Sequence, residues 1–158
     1  MNLIMMAAAL VLASVTIVSP LAGAFEVPGD ASFSADRYVA IGGLYYPGFT
    51  IAGVAEPLAI LALGVLLASV ARETWPFWLI ALALAAEALS HLLYWVLIAP
   101  VNGLLLAGDA RPAPAEADRN ERIALRERWE LSHVCRALAS TLAFVLLVAA
   151  TLASAGSL

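Results

Sequence analysis

Apolar residues gather in four long stretches, Leu3 to Phe25, Phe49 to Ala71, Phe77 to Ala99 and Trp129 to Ala153, with polar segments between them. A helix crossing roughly 30 Å of hydrocarbon needs about 20 mostly apolar residues, because each adds about 1.5 Å. All four stretches meet that length. From Glu116 to Glu130 Glu and Arg alternate in a charged helical pattern, which predicts that the last helix starts outside the membrane and enters it near Trp129. The expected fold class is all-α, a single-domain integral membrane four-helix bundle with helices at about 3–25, 49–71, 77–99 and 116–153.

Punctuation along the chain refines this picture. Pro20 removes a donor from the carbonyl of Thr16, and Pro57 does the same for Gly53, so both helices are expected to open locally. Arg72, Glu73 and Thr74 predict a short turn, with Thr74 as cap and Pro76 in the first turn of helix 3. Trp75 and Trp78 suit the membrane interface. The polar segments Glu26 to Pro47 and Asn102 to Ala115 read as two long loops on one side, the mouth of the bundle. Leu21 to Ala24 has the small residues of a signal-peptidase site. No Lys or Arg precedes the apolar run, so this segment is expected to stay as helix 1, a scaffold without ionisable groups.

Composition strengthens the membrane reading: 63% of residues are hydrophobic, 13% are charged and the mean hydropathy is +0.94, outside the range of soluble domains. The chain has no Lys and a net charge of −4, so no basic stripe exists for nucleic acid. Cys135 is the single cysteine, which rules out an intrachain disulfide or a thiolate cage. Arg37, Arg111, Arg119, Arg122, Arg126 and Arg128 fall on the mouth side and Arg72 on the other. The positive-inside rule then places the loop-rich side in the cytoplasm and both termini opposite, in what is expected to be a bacterial inner membrane. The bilayer is the first partner. A homo-oligomer, or a role as accessory subunit of a larger respiratory or photosynthetic complex docked through Glu116 to Glu130, is compatible with so small a chain.

Five ionisable residues lie within the apolar stretches: Glu56, Glu87, His91, His133 and Arg136. Such groups are costly in hydrocarbon, so each needs a partner or a purpose. Glu87 and His91 are spaced i, i+4 on one helix face, continued by Tyr94, while Trp129, His133 and Arg136 share a face of helix 4. At about 1.5 Å per residue, His91 lies about 13 Å below Pro100, and His133 and Arg136 lie about 6 Å and 10 Å below Trp129. The set therefore occupies one half of the bundle, with Asn102 at its rim. Three readings stand. Arg136 neutralised by Glu56 or Glu87, with the histidines on backbone carbonyls, would fix helix register. A ligand pocket would use His133 as base and Arg136 with Asn102 to stabilise a developing anion, walled by Trp129 and Tyr94 and needing no cofactor. A metal set would draw on Glu56, Glu87, His91 and His133, or a haem b would sit between His91 and His133.

Pro100-Val101-Asn102, followed after the charged segment by Arg128-Trp129-Glu130-Leu131-Ser132-His133-Val134-Cys135-Arg136, resembles the anthrone oxygenase-like family of small four-helix membrane proteins. The shared features are an Asn just after helix 3 and a Trp-x3-His-x2-Arg run entering helix 4. The resemblance implies a candidate site of Asn102, Trp129, His133 and Arg136. It also implies oxidation of a hydrophobic phenolic or quinone-type molecule such as an anthrone by O₂ without a recognised cofactor. Glu87 and His91 are not part of that pattern.

Overall fold

The structure is a computed structural model that describes the backbone of residues 2–30, 35–102 and 116–155, and the side chains of 2–27, 52–102 and 123–155. Its regular elements among these residues are helical: α1 (Leu3–Asp30), α2 (Ala35–Ala68), α3 (Trp75–Leu93) and α4 (Glu116–Ala155). α3 runs on without a break through a π-helical turn, Tyr94–Ile98, to Asn102. The helices pack round a ring, α1 on α2 and α4, and α3 on α2 and α4, which leaves α2 and α4 nearly diagonal.

Local chemistry explains the helix ends. The Asn2 side chain accepts from the backbone N–H of Ile4 at 3.0 Å and of Met5 at 3.4 Å, capping α1. α2 closes in tight turns, with Ser69 N–H donating to Leu66 O and Val70 N–H to Leu67 O. Thr74 holds the extended N-cap conformation of α3 and Pro76 sits in the first turn. The Thr74 hydroxyl does not cap the helix as the sequence predicts, because it donates back to Ala71 O at 2.7 Å.

Two boundaries differ from the sequence reading. The segment Glu26 to Pro47, read as a loop, is largely helical, since α1 continues to Asp30 and α2 begins at Ala35. Tyr38, Ile41 and Tyr45 recur at helical spacing, and that periodicity outweighs Gly42, Gly43 and Pro47. Residues 31–34, and the part of the second loop at 103–115, lie outside the described residues. α3 also passes Pro100, where the sequence ends it. Pro100 has no N–H for the carbonyl of Val96, and Arg128 of α4 donates to that oxygen instead, at 3.0 Å. The wider turn just before it, with Ala99 N–H on Tyr94 O, makes room for the proline ring.

Leu3–Val27, Trp75–Asn102 and Ile123–Ala155 are each long and apolar enough to cross a membrane. α2 carries an apolar segment, Ala52–Ala68, of about 25 Å, at the short end of the spanning range. α4 is about 60 Å long over its 40 residues, twice the hydrocarbon thickness, so it projects beyond the bilayer as its charged first half predicts. Large apolar side chains such as Val11, Leu61, Leu82, Leu138 and Val145 face outward. That surface would be a liability in water and is the natural one in lipid, so the chain is an integral membrane protein.

Candidate functional site

Helical spacing aligns the inward-facing polar residues. Glu87, Ser90, His91 and Tyr94 stand on one face of α3, and Trp129, His133, Arg136 and Ser140 on one face of α4. α2 adds Glu56 and α1 adds Thr16 and Gly23. Glu56, Glu87, Ser90, His133, Arg136 and Ser140 are all buried.

The deeper part is a closed network. Arg136 Nη2 donates to Glu56 Oε1, and Arg136 Nε donates to the carbonyl of Ser90 at 3.3 Å. The other Glu56 oxygen meets His91 Nδ1 at 2.9 Å. The Trp95 indole N–H donates to His91 Nε2 at 3.0 Å. An indole can only donate, so Nε2 is the lone-pair nitrogen of His91 and Nδ1 carries the hydrogen that goes to Glu56. The Arg136 guanidinium also lies 5.3 Å from the centre of the Tyr94 ring, a cation–π distance. The Ser140 hydroxyl donates to that of Ser90 at 2.9 Å.

Nearer the mouth the arrangement differs. The Trp129 indole N–H donates to Asn102 Oδ1 at 3.1 Å, so Asn102 turns its amide NH₂ elsewhere as a donor. His133 Nδ1–H donates to the Trp129 carbonyl at 3.0 Å, which leaves Nε2 as the basic nitrogen of the ring. The His133 and Trp129 rings stack with centroids 3.8 Å apart and planes tilted by 34°. The imidazole also presses on α1: a Cβ built on Gly23 would lie 2.3 Å from His133 Cδ2.

Glu87 stands apart from both groups. It is fully buried, and neither carboxylate oxygen has a hydrogen-bond partner at normal geometry. Thr16 lies beside it, with its hydroxyl donating to Ala13 O at 3.0 Å, and Glu56, Arg136 and His91 are close enough to act on it electrostatically.

All eight residues expected from sequence thus lie in one half of the bundle, in two groups: Glu56, His91, Tyr94 and Arg136, and Asn102, Trp129 and His133, with Glu87 beside the first. The four expected metal ligands do not gather as a ligand set. Among the described residues no three His, Cys, Asp or Glu side chains converge to hold a metal. The Arg136 cation occupies Glu56, and both His91 nitrogens are engaged by protein groups. Ser90, Trp95 and Ser140 were legible as continuations of helical spacing, at i+3, i+4 and i+4 from Glu87, His91 and Arg136. Gly23 carried no such signal, because its partner lies on the far side of the sequence.

A buried acid–base constellation inside a lipid-facing helical bundle defines a membrane protein with a polar intramembrane site. The anthrone oxygenase family model matches residues 49–146, from within α2 to within α4, and the chain belongs to that family. No curated protein and no solved structure matches it. The matched span contains both groups of site residues and omits α1.

Proposed function

We propose that the chain is a membrane-embedded oxygenase that oxidises a hydrophobic phenolic or quinone-type molecule of the anthrone kind, with no cofactor required. The observation that carries the reading is the setting of His133. Its Nδ1–H is tied to the Trp129 carbonyl, and this orients Nε2 as a general base. A substrate methylene conjugated to a carbonyl gives a proton to Nε2, and the charge moves onto the carbonyl oxygen. The Asn102 amide and the positive potential of Arg136 stabilise that oxyanion. The electron-rich carbon then reduces O₂ and forms a C–O bond, and the resulting peroxide anion takes the proton back from His133 to become a hydroperoxide. Loss of water breaks the O–O bond, so one CH₂ and one O₂ become one C=O and one H₂O. Trp129 holds the base and presents its remaining surface to an aromatic substrate. The excess of arginine at the mouth end of the sequence supports a cytoplasmic mouth.

Purified chain in detergent should consume O₂ and an anthrone-type substrate in equal amounts, and His133→Ala should abolish this while keeping its helical circular dichroism. Undiminished turnover in that variant contradicts the assignment.

A further inference from the structure

We propose that α1 forms one wall of the site, and that Gly23 is a positioning residue seating the His133 imidazole. This rests on the reading of His133 as base. A Cβ at position 23 would lie 2.3 Å from Cδ2, 2.7 Å from Cγ and 3.1 Å from Nε2 of that ring. Carbon atoms in contact sit about 3.5–4.0 Å apart, so any side chain here forces the ring to shift by an ångström or more. Glycine is a poor residue for a helix interior beside alanine. Ala22 and Ala24 carry their methyl groups on either side, and Gly23 faces the imidazole. The seat explains the glycine.

The contact also fixes which edge of the ring meets α1. The ring edge that meets Gly23 is the Cδ2–Nε2 edge, whereas Nδ1 is held by the Trp129 carbonyl. The Cδ2–Nε2 edge therefore faces α1 at the level of Gly23, and the ring is held between that helix and the Trp129 carbonyl. A methyl group at that point displaces the base.

The chain has two histidines, so His91 is an internal reference. In ¹⁵N-histidine NMR of the detergent-solubilised chain, Gly23→Ala should shift the His133 ring signals and leave those of His91 in place. It should also lower the unfolding midpoint by roughly 5 °C in the otherwise unchanged chain. In a His133→Ala background, where no ring remains to clash, the same substitution should leave the midpoint unchanged or raise it. Unmoved His133 signals, equal movement of both histidines, or an equal loss of stability in both backgrounds overturns the proposal, as does failure of both Gly23→Ala chains to fold. These readouts need no substrate. Turnover that survives His133→Ala removes the base assignment and leaves the Gly23 contact standing. In an active preparation Gly23→Ala should lower kcat by roughly 10²-fold.

Discussion

Toward the Arg72 turn, Met6, Ala9 and Ala13 meet Leu63, Leu66, Ile80, Ala83, Leu147 and Ala150 in a continuous apolar core. Toward the mouth, the inward positions of the same helices carry Thr16, Glu56, Glu87, Ser90, His133 and Arg136. In lipid the apolar end gains no hydrophobic drive over the surrounding hydrocarbon and holds by close packing, which is why alanine is so frequent in it. The polar end holds by directional bonds between charged groups whose desolvation is costly. Register alone asks for less than this, since the Glu56–Arg136 pair already ties α2 to α4. The Trp129–His133–Gly23 contacts hold a second buried side chain in place, an imidazole oriented by the Trp129 carbonyl.

The largest expected effect comes from opening the pair at the polar end. Glu56→Ala leaves Arg136 buried without its counter-charge and should cost about 3–5 kcal/mol in reversible unfolding. The double variant Glu56→Leu with Arg136→Leu removes both charges and should restore stability while turnover stays lost. Recovery of both would make the polar network purely structural. At the apolar end Leu63→Ala should cost about 2–4 kcal/mol, with turnover per folded molecule unchanged. A change in kcat there would erase the division between the two ends.

The smallest effect is expected at the helix clamp. Arg128→Met removes the donor to the Val96 carbonyl and should cost about 1 kcal/mol or less, seen as faster amide exchange after Tyr94. Unaltered exchange would mean that the π-helical turn satisfies that carbonyl without Arg128.

The four helices were legible from their apolar stretches, three of which are long and apolar enough among the described residues to cross a membrane. The site was legible where its members share a helix face, as Trp129, His133 and Arg136 do. Spacing left Arg136 a choice between Glu56 and Glu87, and three-dimensional packing settles it on Glu56. It also places His91 on a carboxylate and His133 on a carbonyl, a distinction that periodicity cannot make. The passage of α3 beyond Pro100 was hidden because the substitute donor, Arg128, comes from another helix. The close approach of Gly23 to His133 was hidden for the same reason.

The central claim is that His133 takes a proton from the substrate. Exchange of the acidic C–H of an anthrone-type molecule with D₂O, followed without O₂ in the presence of purified chain, tests that step apart from oxidation. The account predicts acceleration by the unmodified chain and a loss of roughly 10²-fold or more in a folded His133→Gln variant. Equal exchange rates with the two proteins would contradict it.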